Sequence, residues 1–230
     1  MTRSESGPPG PRAGGSPGSI AGDLEPCWSC GAPVAQRALF CHACGAIQPP
    51  RALDPFARLG MERRFDLDPA QLARQHAGFG RALDPQRFAA KGLREQANAK
   101  AQADALHEAF ETLRDPVRRA HALLALLGGD ASSAAHESDP DDDVATLTGA
   151  LSAAAADGAA LDRLGLDIAG RIESCIKYLG PAFAKALADP EKPDPAKTGA
   201  AARILARLEG LEALATEAAA RRAILSAPRT

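Results

Sequence analysis

The chain has 230 residues and a net charge of −2, and Ala supplies 52 positions and Leu 26, against 7 Ile and 3 Val. That balance favours helices and excludes a large β-sheet, giving an all-α fold class. No basic stretch is strong enough for a nucleic-acid footprint, and no run of about 18 apolar residues offers a membrane span. Leu, Ile, Val and Phe together number only 43. So thin a supply of large apolar side chains predicts several small cores with flexible joins.

Residues 1–26 hold six Gly, five Pro and four Ser without an apolar stretch. Such a composition cannot bury enough surface to order itself, so this segment is expected to be a disordered tail. It carries neither an export signal nor an Arg-rich transit pattern, which points to a cytoplasmic location.

Four of the five cysteines follow, as Cys27-Trp28-Ser29-Cys30-Gly31 and Cys41-His42-Ala43-Cys44-Gly45. Two Cys-x-x-Cys turns each aim two sulfurs at one point, and the residues between them can close a tetrahedral zinc site. Gly31 and Gly45 suit the tight turn behind each pair. A disulfide reading needs an oxidising compartment, and haem attachment needs His directly after the second Cys. Iron of rubredoxin type uses similar knuckles, so spacing alone does not fix the metal. The 27–50 segment is therefore expected to be a four-cysteine zinc module, with Cys27, Cys30, Cys41 and Cys44 as ligands. His42 is expected to be an exposed knuckle residue and Trp28 to cover the module's apolar side. The fifth cysteine, Cys175, lies on an apolar helical stripe and is expected in a core.

Beyond Pro49-Pro50, Asp54-Pro55 and Gly60 bracket a short helix, since Asp caps, Pro suits the first helical position and Gly stops the turn. Asp68-Pro69 repeats the start signal, and Leu72, His76, Phe79 and Leu83 then share one helical face, with His76 at the core edge. A third helix is predicted over roughly 89–113, with Ala103, Leu106, Phe110 and Leu113 inward. Asp115-Pro116 opens a fourth, carrying Val117, Ala120, Leu124 and Leu127.

This order of elements, with the opening 54–60 and the run Leu113, Pro116, Arg119, Ala120, Leu123, Leu124, resembles the J-domain of the HscB family of iron–sulfur co-chaperones. Some members also carry an N-terminal four-cysteine module like 27–44. The resemblance implies a J-like domain over 53–128 that docks a DnaK/HscA-type ATPase chaperone. The family's His-Pro-Asp loop, which would trigger ATP hydrolysis, is replaced here by Asp84-Pro85-Gln86. A carboxylate accepts where an imidazole can donate, and Gln lacks the charge of Asp, so weak ATPase stimulation is expected. The resemblance assigns chaperone binding to Asp84, Pro85, Gln86, Arg74, Arg81, Arg87 and Lys91; an ordinary solvated helix face is the competing reading of these cations.

The acid-rich stretch 129–142 reads as a solvated linker. From Leu161 to Leu187 an apolar stripe at helical spacing predicts a helix of about 27 residues. Pro190, Pro193 and Pro195 interrupt it, and Ile204, Leu208, Leu211, Ala215 and Ala218 mark a second helix. With a short helix near 143–156, the 143–226 segment is expected to be a C-terminal helical bundle. Its place matches the scaffold-binding domain of the HscB family, although that family's acidic Leu-Met-Glu stretch is not recognisable. No Gly-rich phosphate loop, metallohydrolase His pair or Ser/Cys beside a base is present in the sequence, so a non-enzymatic adaptor is expected. The alternatives are a redox or metal-handling protein built on the four cysteines and a degenerate J-like structural adaptor.

Overall fold

The computed structural model describes residues 24–129, 144–154, 156–189 and 192–226. Residues 1–23 of the expected tail and 130–142 of the expected linker lie outside the described residues. Among the described residues are two short strands and seven α-helices. The strands are β1 (Leu24–Pro26) and β2 (Pro33–Ala35), which pair antiparallel with Glu25 opposite Val34. Leu24–Pro26 falls inside the expected tail and is instead a strand, because β2 supplies its hydrogen-bond partners.

The helices are α1 (Pro55–Leu59), α2 (Pro69–Ala82), α3 (Leu93–Arg114), α4 (Pro116–Leu126), α5 (Val144–Ala153), α6 (Gly158–Ala186) and α7 (Pro195–Ser226). Asp-Pro pairs punctuate them. The carboxylates of Asp54, Asp68 and Asp115 accept from the N–H groups of Ala57, Ala70 and Arg118, and each following Pro takes the first helical position. Asp194 does the same for Ala196, so Pro195 starts α7 rather than belonging to the break before it. Gly60 adopts φ +63° and closes α1. The helix predicted from residue 89 begins at Leu93, because Pro85–Phe88 forms a 3-10 turn first.

α1 buries Phe56 and Leu59 against α3, and α2 packs on α3 around Leu72, Leu106 and Leu113. The α6–α7 hairpin buries Leu161, Ile168, Leu179 and Phe183 against Ala201, Leu205, Leu208 and Leu211. These are not separate cores. One apolar cluster runs from Ile47 and Phe56 through α4 to Ala218, which corrects the expectation of several small cores with flexible joins.

The reason lies at the junction of the two helical units. Phe65, in the loop after α1, stacks on Phe183 of α6 with ring centroids 5.8 Å apart. The Arg119 guanidinium covers the Phe65 ring at 4.7 Å, and His121 Nε2 of α4 meets Glu209 Oε1 of α7 at 2.6 Å. Gly129 sits so close to Thr198 that an added Cβ would lie 2.7 Å from its methyl group. Small residues thus let helices approach until a modest stock of Leu and Phe fills the space between them. Among the described residues, no helix is long and apolar enough to cross a membrane.

His76 sits at the core edge as expected, stacked on Phe110 at 4.4 Å and 6.2 Å from the His107 ring. Burial pushes its pKa below the ordinary value, the neighbouring His107 adds to this, and Glu111 opposes it. The unfolded chain therefore binds this proton more readily than the folded one. Stability that is full above the unfolded value of about 6.5 falls as pH drops through it. Urea midpoints at pH 7.5 and 5.5 should show that loss, and His76→Phe should shrink the difference between them.

Phe183→Ala removes a fully buried ring from the shared core and should cost about 3–5 kcal/mol. Far-UV circular dichroism should show one cooperative transition at lower denaturant. Two separated transitions, with α1–α4 unchanged, would contradict a common core.

Candidate metal centre and docking loop

Each Cys-x-x-Cys knuckle is built the same way. Gly31 and Gly45 adopt φ +75° and +73°, a region costly for any residue with a Cβ. Their N–H groups donate to the carbonyls of Cys27 and Cys41, both at 2.9 Å. Cys27 N–H then reaches Ala32 O at 2.8 Å, and Cys41 N–H reaches Ala46 O at 2.9 Å. Flanking the first knuckle is the β1–β2 ladder; flanking the second is the antiparallel bridge between Phe40 and Ile47.

The two knuckles bring all four Sγ atoms within 4.8 Å of one another. Cys27 and Cys44 sulfurs are 3.7 Å apart, as are those of Cys30 and Cys41. A tetrahedron with metal–sulfur bonds of about 2.3 Å has edges of about 3.8 Å, so the donors fit a four-coordinate ion. A disulfide needs about 2.05 Å, and all five cysteines are free. Cys27 and Cys41 are buried, Cys30 and Cys44 exposed.

Charge on the sulfurs is contested. Burial pushes the Cys27 thiol up, but the N–H groups of Cys30 and Ser29 and the Gln48 amide pull it down to about 6. Cys30 accepts from the Ala32 N–H, which lowers it, yet the crowding sulfur of Cys44, burial, and the Cys41 and Cys27 sulfurs carry it up to about 12. One thiolate forms readily and its neighbour resists. A bound cation would resolve that conflict by favouring the ionised form at every ligand.

The module is joined to the helical body by contacts that sequence reasoning missed. Trp28 Nε1 donates to Ile47 O at 2.6 Å, and its ring lies under the Arg94 guanidinium at 4.3 Å. Trp28 therefore bridges to α3 as well as packing on the module's own cluster of Cys27, Val34, Cys41 and Ala46. Asn98 donates to Ile47 O at 3.3 Å and Gln102 to Gln48 O at 3.1 Å. Arg94, Asn98 and Gln102 recur every four residues, the one trace of this seam in the sequence. His42 is exposed, as expected.

At the other predicted site, the 3-10 turn Pro85–Phe88 is pinned by buried Leu83 and Phe88. Asp84, Pro85, Gln86 and Arg87 are all exposed. The Asp84 carboxylate accepts from the Gln86 N–H at 2.9 Å, so it is occupied in capping its own turn. Arg74, Arg81 and Lys91 are exposed too, with Arg74 in a 3.6 Å ion pair with Asp68. Lys91 and Ala89 carbonyls accept from Gln96 at the start of α3, which fixes the end of the loop. Cys175 is buried in α6, and burial pushes its thiol up while Arg207 acts in the opposite direction.

Cys27→Ser should leave the chain unable to hold a metal ion at full affinity, while the helices, whose core is distinct from the module's, stay folded. Metal content of the purified variant and its helical circular dichroism check both halves of this outcome. Collapse of the helical signal at room temperature would contradict the division.

No family model matches the chain. It is 41% identical over 78 residues to the co-chaperone protein HscB of Proteus mirabilis, covering 34% of this chain and 45% of that protein. To the iron–sulfur cluster co-chaperone protein HscB homolog of Arabidopsis thaliana it is 30% identical over 115 residues, covering 50% and 45% respectively. The chain thus spans a little under half the length of these curated relatives. The crystal structure of human co-chaperone protein HscB superposes with a TM-score of 0.70 at 20% identity, covering 85% of this chain and 98% of that one. Chaperone HscB from Vibrio cholerae gives 0.59 at 24% identity, covering 75% and 99%. The chain is therefore similar to HscB co-chaperones in fold along nearly the whole of those two structures, and in sequence over a little under half of its curated relatives.

Proposed function

We propose that this protein is a co-chaperone of an ATP-dependent DnaK/HscA-type chaperone, acting in iron–sulfur cluster assembly in the cytoplasm through protein–protein binding rather than catalysis of its own. The observation that carries this reading is the fold shared with human HscB over 98% of that chain, to which this chain contributes the α2–α3 pair and the turn between them. Arg74, Arg81, Arg87 and Lys91 give the α2–loop side exposed cations that suit an acidic surface of such a chaperone. The α5–α7 unit is the surface we assign to an iron–sulfur scaffold protein. In the four-cysteine site the expected ion is zinc, which suits four thiolates at tetrahedral edges and supplies folding free energy to a module with few apolar residues.

The loop sets how much such a protein can do. Asp84 spends one carboxylate oxygen on the Gln86 N–H, and a carboxylate has no hydrogen to donate to a partner. Gln86 is exposed but neutral, so it cannot form the charge-assisted bonds available to an acid at that position. The chain therefore docks with little triggering. A J-like adaptor that binds its chaperone without accelerating hydrolysis is the second reading, favoured by these same two residues.

Single-turnover ATP hydrolysis by the organism's own DnaK-type and HscA-type chaperones tests this, with wild type and with Asp84→His/Gln86→Asp. The restored loop should accelerate turnover about tenfold beyond wild type, a barrier change of about 1.4 kcal/mol. Arg74→Glu/Arg81→Glu should weaken chaperone binding in either background. Absence of binding to both chaperones by wild type and restored loop alike would sink the co-chaperone reading.

A further inference from the structure

Gln48 is completely buried, and so nearly is Gln102 of α3 at 4% exposure. Burying a primary amide is costly unless its hydrogen bonds are made, and the Oε1 atoms of both glutamines lack a protein partner. Leucine would fill either place more cheaply in a purely apolar core. What the two amides do make are donor bonds in series. Gln102 Nε2 donates to Gln48 O at 3.1 Å, and Gln48 Nε2 donates to Cys27 Sγ at 3.3 Å and to Ala46 O at 2.8 Å.

The backbone at 47–48 is thus held from both sides. The Ile47 side chain, 1% exposed, belongs to the large helical core, whereas the next side chain points into the cysteine module. Ile47 O takes both Trp28 Nε1 and Asn98 Nδ2, which fills its two acceptor positions. Trp28 adjoins Cys27 in sequence and lies under Arg94. Cys27 therefore sits at one end of a short polar chain whose other end is the middle of α3. An N–H bond to a metal-bound sulfur orients the ligand and stabilises its negative charge. Without an ion to fix Cys27 against the other three sulfurs, the buried Gln48 amide keeps the Ala46 carbonyl but loses the fixed sulfur as its second acceptor, and the seam on α3 loosens.

We propose that Gln48 is a positioning residue of the metal centre and that, through Gln102, it makes the stability of the helical body depend on metal occupancy. This rests on the reading that the four cysteines hold a metal ion. The module is then more than an appended knuckle: it is a brace on α3, the helix that begins one residue beyond the docking loop.

The test uses the full chain, loaded with Zn2+ and again after chelation, with affinity read by competition against a chromophoric chelator and helix melting read at 222 nm. In wild type, chelation should lower the helical midpoint by about 3 °C or more, the shift expected of roughly 1 kcal/mol in a chain of this size. Gln48→Met keeps the volume and removes the donor. It should weaken Zn2+ binding about 10- to 100-fold, in the range typical of groups that orient metal ligands, and shrink the midpoint difference between the loaded and the chelated chain. Gln102→Met should retain more of the affinity but lose at least half of the metal-dependent shift. Unchanged affinity in Gln48→Met overturns its positioning role, and a wild-type midpoint indifferent to chelation overturns the coupling. Should Gln48→Met fail to fold, Gln48→Glu provides the second variant: its carboxylate repels the thiolate, so Zn2+ affinity equal to wild type would also overturn the proposal. Failure of wild type to take up one Zn2+ per chain would instead remove the metal reading itself, and this inference with it.

Discussion

A chain in which Ala outnumbers Leu two to one can fill a core only by drawing its helices together. The rest of the structure follows from that constraint. Ala201, Ala202 and Ala218 on α7 and Ala186 on α6 are buried where larger side chains would hold the hairpin apart. Gly180 approaches Asp66 so closely that an added Cβ would run into its carboxylate. Close approach raises the number of dispersion contacts available to each remaining Leu and Phe. It also explains why the J-like helices and the C-terminal hairpin share a core: neither unit alone has enough large apolar surface, and Phe65, Leu123, Leu124 and Phe183 serve both.

What was legible in the sequence was what is decided locally. Asp-Pro pairs cap helices because a carboxylate and a fixed φ act within four residues, and the stripes 72–83 and 161–187 declare a helical face by their own spacing. The knuckles are equally local, with two sulfurs, a turn and a glycine inside five residues. Contacts between distant segments left no comparable trace. Leu24–Pro26 is a strand only because 33–35 lies beside it, and Gln102 reaches a carbonyl 54 positions earlier. The junction of α4 with α7 depends on which side of each helix turns inward once both units exist, and sparse composition alone misread it as a weak join.

The loop proposed for docking shows a conflict between those levels. For local structure, Asp at 84 is a good choice: its side chain caps the 3-10 turn and Pro85 is preset for the first position. For recognition, the same atoms are spent. A carboxylate engaged by a backbone N–H keeps acceptor capacity outward but offers no proton, so the loop is well formed and chemically quiet. The apolar anchors Leu83 and Phe88 hold the two ends of the loop to the core, and Asp84 caps the turn between them. Geometry at this loop is thus shared between two apolar anchors and Asp84, whereas Gln86 supplies the turn with its backbone alone, so its side chain can change without the turn being lost.

The same separation bears on the N-terminal module. Its own apolar cluster is four small or medium residues, far short of what ordering some twenty residues of backbone requires, at about 1–2 kcal/mol each. Part of the deficit is met by Ile47, which belongs to the helical core, and by Arg51, whose guanidinium reaches Val34 O and Glu25 while Arg58 of α1 holds its carbonyl. Polar contacts of Trp28, Asn98 and Gln102 along the seam with α3 add to this, and an ion on the four sulfurs would supply more. A module held partly by the body it touches is not energetically independent of it, and an ion bound to the four cysteines would share in that dependence. The polar seam along Arg94, Asn98 and Gln102 is where that dependence is carried, and it begins on α3 two residues after Gly92, where the docking loop gives way to the helix.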